Sequence, residues 1–307
     1  MKIKKTTAYV LLLTALVTLC SSTFASGEEK SAAPVAENLE FSTYRDVSLE
    51  GQLKASSISG LPLYYEITTP PAKGKVQLTE GGCFVYTPKA GKKGRDYFGY
   101  KVYDSRKAYS SEATVIISIK KQKTVMSYAD MQGAPAQYAA LRLAEEGIFV
   151  GEYVGGHHVF RPDAPVLRSE FLTMCMKLTG LDVLSGVITT GFSDDAAIEP
   201  YLKPYVSTAL LTGIISGYST GRDTAVFRGD DYISFPEAAV MLSRSLNISD
   251  VDITKQAAGI PAWAAQECAN LSACRIYSYS PGQEGKNLSR GKCAGLLLAA
   301  MELLEKR

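Results

Sequence analysis

Arg168 and Arg290 are the side chains best placed for chemistry, because each sits at the start of a run of apolar residues with helical spacing. The local sequences are Leu167-Arg168-Ser169-Glu170 and Ser289-Arg290-Gly291-Lys292, and a related run opens on Ser234-Phe235-Pro236-Glu237. A Ser or Thr with Glu three residues later satisfies orphan backbone N–H groups of a first helical turn. An arginine between them lies at the positive end of that helix. Helix dipole and bidentate guanidinium together suit an anion such as a carboxylate. Only Ser234 and Glu237 keep both cap residues. Leu167 replaces the hydroxyl in one run, Lys292 replaces the glutamate in another, and Phe235 replaces the arginine in the remaining one. Arg168 and Arg290 are therefore the candidate anion clamps, with solvated surface arginines as the plainer alternative.

Other groups offer less. The chain has 2 histidines, His157 and His158, side by side after Gly155-Gly156 on an expected loop. That leaves no plausible Ser/His/Asp or Cys/His arrangement. No carboxylate pair for glycoside cleavage stands out. The reading is non-catalytic, with no cofactor. Asp96 and Asp104 could serve calcium, but calcium needs six or more oxygens; turn roles are expected for both. Cys83, Cys175, Cys268, Cys274 and Cys293 follow the leading segment, and their spacings do not match a zinc site. They read as buried small hydrophobes, with a Cys268–Cys274 or Cys268–Cys293 bridge left open.

The chain opens like an export signal. Lys2, Lys4 and Lys5 precede an apolar stretch, Val10 to Leu19, and Thr23 and Ala25 offer small residues before a cleavage point at Ser26. Residues 1–25 read as a signal peptide and 26–37 as a flexible leader. The remaining chain has no 18-residue apolar run, so no stable membrane insertion is expected after cleavage. A net charge of +2 gives no reason to expect a nucleic-acid partner.

From Leu39 to Ile119 the pattern has the period of strands. Val47–Leu53, Leu63–Ile67, Lys75–Leu78, Cys83–Thr87, Asp96–Tyr103 and Ala113–Ile119 are short aromatic and β-branched runs, and Glu40–Tyr44 can supply a further one. Phe98, Tyr100 and Val102 should share one face, opposite Tyr97, Lys101 and Tyr103. This predicts an all-β, antiparallel sandwich over 38–120. The string Gly82-Cys83-Phe84-Val85-Tyr86-Thr87-Pro88, then Gly94 to Asp104, resembles bacterial cadherin-like and Ig-like surface repeats.

Residues 121–126 read as a basic linker. Beyond them the period changes to about 3.6. Leu141 and Ala144, Phe171 and Met174, Tyr205 and Ala209, Val240 and Leu246, Trp263 and Leu271, and Ala294 and Leu297 mark successive helices. The segment also repeats. Gly147-Ile148 and Gly213-Ile214 are offset by 66 residues; Phe160-Arg161-Pro162-Asp163 and Phe227-Arg228-Gly229-Asp230 are offset by 67. A poorer copy begins at Pro261-Ala262-Trp263. The units span 127–182, 188–249 and 253–307.

This repeat resembles the S-layer homology domain. The resemblance implies a mainly α, pseudo-threefold bundle of three helical hairpins after the sandwich. It also implies binding of secondary cell-wall polysaccharide, often pyruvylated, in grooves between copies, and a place in the cell wall or S-layer of a bacterial surface. A ketal pyruvate is a carboxylate that Arg168 and Arg290 could hold, whereas the groove at position 235 should be altered or dead. The remaining positions have structural readings first. Glu170 and Glu237 should cap helices; Asp130 and Asp194 should cap a first helix or turn. Gly147, Gly151, Gly213 and Gly217 should end helices and form tight turns, or allow a sugar to approach closely. Arg161 and Arg228 should pair with carboxylates across a copy boundary, or assist the ligand. Trp263 should pack between copies, or stack on a sugar ring. The alternatives to a wall tether are a protein–protein docking module among surface proteins and a wall-associated hydrolase.

Overall fold

Alternating apolar residues build the first half of the protein. A computed structural model describes residues 33–221, 224–253, 259–276 and 286–306. The expected export signal and most of the leader lie outside the described residues. Strands β1 (Val35–Ala36), β2 (Leu39–Tyr44), β3 (Leu49–Gln52), β4 (Ala55–Ser56), β5 (Leu63–Thr69), β6 (Gly74–Leu78), β7 (Cys83–Pro88), β8 (Gly94–Asp104) and β9 (Ala113–Lys120) follow in order. They form one sheet of order β2-β9-β8-β5, a facing sheet of order β3-β7-β6, and a small β1-β4 ribbon. Phe98, Tyr100 and Val102 of β8 and Val115 and Ile117 of β9 are buried with Phe84 and Tyr86, as the alternation requires. Each such side chain contributes roughly 1.5–3 kcal/mol on burial.

Two expectations change here. The sandwich is not wholly antiparallel, because β2 runs parallel to β9, pairing Leu39 with Val115 through Tyr44 with Lys120. Residue alternation specifies which face a strand buries but not its direction. The end of the segment read as leader is also strand, with Val35 and Ala36 paired to Ser56 and Ala55. Asp96 and Asp104 fill turn roles. Asp96 accepts from Ala72 N, Lys73 N and the Tyr86 hydroxyl, and Asp104 from Arg106 N and Ala108 N.

The second half is mixed helix and strand rather than mainly α. It contains α1 (Gln137–Glu145), β10 (Glu152–Val154), β11 (His157–Val159), α2 (Arg168–Thr179), α3 (Lys203–Leu211), β12 (Tyr218–Ser219), β13 (Ala225–Val226), α4 (Phe235–Ser245), α5 (Ala265–Ala273) and α6 (Arg290–Leu304). The His157-His158 pair lies in β11, opposite Val154 and Tyr153, and not in a loop. Helix packing joins the units. Helix α2 packs on α3 and α4 on α5, so each pair crosses a unit boundary, and α6 closes the circle against α1.

The circle has an axis. Two residues before each signature helix, an N–H donates to its counterpart in the preceding unit around the ring: Ile233 N to Val166 O at 2.9 Å, Leu288 N to Ile233 O at 2.8 Å, and Val166 N to Leu288 O at 3.1 Å. This cyclic set satisfies six buried backbone groups at once, which extended chain in the middle of a core otherwise leaves orphaned. The three side chains are buried.

The sandwich is fixed to this circle. Tyr44 and Val47 belong to the helical core, not to the sandwich core. The Tyr44 ring meets Tyr138 edge-on at 5.0 Å, and its hydroxyl donates to Glu145. Glu145 also accepts from Lys123 N at 2.6 Å, which ties down the basic connecting segment.

Candidate functional site

The signature arginines are not solvated surface groups. Arg168 and Arg290 are each less than 10% exposed, at 7% and 8%. Each leaves its own helix start and enters the neighbouring unit. Arg168 Nε donates to Phe227 O at 3.1 Å, and Arg290 Nε donates to Phe160 O at 2.6 Å. These carbonyls occupy the same place in successive repeats. Each guanidinium also lies over aromatic rings, Arg168 over Tyr218 at 4.8 Å and Arg290 over Phe149 at 4.6 Å. Aromatic stacking suits the weakly hydrated guanidinium. The backbone beneath repeats as well: Ser169 N donates to Gly229 O, and Gly291 N to Pro162 O. At position 235 the buried Phe235 stands in the arginine's place, and the unit it faces includes residues outside the described set.

Surroundings separate the two arginines. Arg168 Nη1 lies 3.5 Å from Glu237 Oε1, and the Tyr218 hydroxyl donates to that same oxygen. Burial lowers the Arg168 pKa, while the charges of Glu237 and Asp231 oppose the shift. Arg290 has instead a long contact to Val150 O at 3.4 Å. Among the described residues, no carboxylate forms an ion pair with it. Glu170, the counterpart of Glu237, turns its carboxylate to Leu167 N, and Glu152, the counterpart of Tyr218, pairs with Arg161 at 3.2 Å.

Glu237 thus does more than cap. Its Oε2 accepts from Ser234 N at 2.8 Å and from the Ser234 hydroxyl at 2.7 Å, while Oε1 serves Tyr218 and Arg168. Asp130 and Asp194 cap turns, though far along the chain from themselves. Asp130 accepts from Phe160 N and Arg161 N; Asp194 accepts from Phe227 N and Arg228 N. Both arginines there have φ of +55°, a conformation non-glycine residues rarely adopt, and the carboxylates hold it. Burial alone would raise the Asp130 pKa, but these backbone N–H groups outweigh it and lower the value.

Several expected roles are corrected. Arg161 pairs with Glu152 inside its own unit, and Arg228 lies 5.0 Å over Tyr218 of its own unit; among the described residues neither forms an ion pair across a boundary. Gly147 and Gly213 do end helices, at φ of +66° and +74°. Gly151 and Gly217 do not. A Cβ at Gly151 would lie 2.3 Å from Val159 O and 2.4 Å from the Tyr128 ring, and one at Gly217 would lie 2.4 Å from the Phe192 ring. In the first two units the opening aromatic residue, Tyr128 or Phe192, therefore packs against the glycine where a Cβ would stand. Trp263 is not core: it is 56% exposed. The five cysteines among the described residues are unpaired, so neither bridge forms. Burial pushes the thiols of Cys175, Cys268 and Cys293 up, Cys268 to about 11, which disfavours the nucleophilic thiolate.

A cleft of about 460 Å³ opens where three units meet. Arg168 of the first unit, Gly217, Tyr218, Glu237 and Arg244 of the second, and Trp263 of the third line it. Arg244 was not among the residues singled out from sequence. No motif marks it, because the cleft is assembled by the circular closure. Among the described residues, no group of His, Cys, Asp and Glu is placed to hold a metal ion, and no helix is long and apolar enough to cross a membrane.

Residues 31–118 match the family model of the bacterial Ig domain, and no S-layer homology domain is detected in the rest. No curated protein matches the chain. Solved structures that it resembles include a putative α-galactosidase/melibiase from Bacteroides fragilis, 16% identical over 29% of this chain and 18% of that one, at a TM-score of 0.24. The SrpA adhesin of Streptococcus sanguinis (R347E mutant) is 16% identical over 33% of this chain and 65% of that one, at 0.26. Titin domain M4 is 8% identical over 29% of this chain and 98% of that one, at 0.20. The chain spans no more than 25% of the glycoside hydrolases it matches. The N-terminal region is a bacterial Ig-like domain, which suggests a surface or adhesion-type protein.

Proposed function

We propose that this is a non-catalytic bacterial surface protein whose three-unit bundle, resembling S-layer homology domains, holds it to secondary cell-wall polysaccharide. The Ig-like domain then acts as spacer, adhesion or assembly module, with other surface proteins as further partners. The observation that supports this reading best is the cleft at the three-unit junction, where an exposed tryptophan faces two arginines and a glutamate. An apolar ring beside a few convergent polar groups is the usual composition of a ligand site. Sedimentation with purified cell-wall sacculi tests it. The chain should pellet with intact sacculi and stay in solution once the wall polysaccharide has been stripped.

A second reading keeps the fold and drops the glycan. It is favoured by the seats of Arg168 and Arg290, whose Nε atoms are already taken by backbone carbonyls and so act as struts between units. Under this reading the bundle is a protein docking module. Co-sedimentation that survives stripping of the polysaccharide would favour it.

A further inference from the structure

The charges lining the three-unit cleft are already matched in pairs. Arg168 faces Glu237 at 3.5 Å, and its Nε is held by Phe227 O. Arg244 holds Glu267 through Nε at 2.9 Å and Nη2 at 2.7 Å. The second oxygen of Glu237 is occupied by Ser234. A carboxylate entering here would compete with two resident carboxylates for guanidinium groups that are already hydrogen-bonded. It would also be desolvated beside Glu237. Losing water without gaining an unpaired cation is unfavourable.

What the cleft offers instead is an exposed indole with apolar and polar groups lining the same space. Trp263 is more than half exposed, Val240 and Met241 lie along the cleft beside it, and the backbone from Ser216 to Ser219 closes the other side. A pyranose ring matches that layout: its C–H face stacks on an aromatic ring while its hydroxyls reach hydroxyl, carboxylate and backbone groups. The volume falls within the roughly 300–1,000 Å³ usual for small-ligand sites.

We infer that this cleft takes an uncharged sugar unit stacked on Trp263, rather than the acidic unit that the family resemblance implies. The inference rests on the wall-polysaccharide reading above and assigns the ligand's charge class at this one site. Trp263 is the chain's only tryptophan, so intrinsic fluorescence reports on this cleft alone.

The experiment titrates the purified full chain with solubilised wall polysaccharide in two forms, native and carboxyl-reduced. Tryptophan emission and co-sedimentation are read in parallel. The expected result is an emission change with both forms, with apparent Kd values within about twofold of each other and little dependence on salt. Trp263→Phe, which keeps a ring, should retain binding by sedimentation, whereas Trp263→Ala should weaken it by tenfold or more. An emission change seen only with the native acidic form overturns the inference and leaves the wall-binding reading standing. So does sedimentation without any emission change, because the ligand then sits elsewhere. Absence of both signals removes the wall-binding reading and the inference with it.

Discussion

Arg168 and Arg290 occupy equivalent places in the repeat yet sit in different electrostatic surroundings. Both leave a helix start, cross a unit boundary, stack on aromatic rings and donate to the carbonyl of an equivalent phenylalanine. At Arg168 the next unit supplies Tyr218 and Glu237, which close on the guanidinium. At Arg290 the matching residues are Glu152 and Glu170, and both turn elsewhere. A repeat can therefore conserve a mechanical strut while changing the charge around it. The strut needs only the guanidinium and one backbone carbonyl. The charge depends on which way the glutamate of the helix start turns, Glu237 toward Arg168 and Glu170 toward Leu167 N.

The largest expected effect comes from removing the guanidinium groups. Arg168→Met should destabilise by about 3 kcal/mol, because it leaves Glu237 poorly compensated as well as Phe227 O unpaired; breaking a buried pair costs about 3–5 kcal/mol and Glu237 is partly exposed. Arg290→Met strands carbonyls only and should cost about 2 kcal/mol. Urea unfolding monitored by circular dichroism would rank them. Equal losses would mean that the Glu237 contact adds nothing to stability.

Next come the glycines under the unit-opening aromatics. Gly217→Ala and Gly151→Ala should each cost about 2 kcal/mol through overpacking. Gly217→Ala should exceed its counterpart by about 1 kcal/mol, since φ there is +74° and a side chain adds backbone strain. The same unfolding measurement checks the order. A neutral Gly217→Ala would show that the Phe192 ring moves aside freely.

A smaller difference should separate the glutamates. Glu237→Gln keeps the cap to Ser234 but removes the charge facing Arg168, for a loss of about 1 kcal/mol. Glu170→Gln changes only a cap and should cost about 0.5 kcal/mol. Glu237→Gln should also tighten binding of the native acidic polysaccharide relative to the carboxyl-reduced form, read by Trp263 emission. Identical behaviour of the two variants would erase the distinction between the seats.

Much of this architecture was legible in the sequence, and the misses share a cause. Period-two alternation located the main strands of the sandwich, and the offset of 66 to 67 residues located the repeated units. Arg168 and Arg290 were found because each stands at the helix start of a repeated unit, beside residues of a capping pattern. Their burial was not legible, since stacking on Tyr218 and Phe149 depends on how the units close around the axis. Trp263 looked like core because it sits at a helix start beside small residues. It is exposed because the ring of three units leaves a gap at their junction. The parallel pairing of β2 with β9 escaped for a similar reason: local pattern records burial, whereas direction depends on which distant strand is adjacent.

The smallest effect expected is one of acidity, and it too distinguishes the units. Asp195 accepts from Lys203 Nζ at 2.7 Å and from Thr190 N at 2.6 Å. The Lys203 hydrogen bond foremost, then those from Thr190, lowers its pKa from 3.8 to about 2. The first unit has the buried, non-titrating Met131 at the matching place. A carboxylate with a folded-state pKa below its unfolded value adds stability in full above the unfolded value. That contribution is lost as pH falls through the folded value. The wild-type chain should therefore lose stability more steeply between about pH 4 and pH 2 than Asp195→Asn does. Asp130, whose carboxyl is also held low, remains in both chains and cancels in the difference. Parallel thermal-melting curves across that window would show that Lys203 and Thr190 do not hold Asp195 in its charged form.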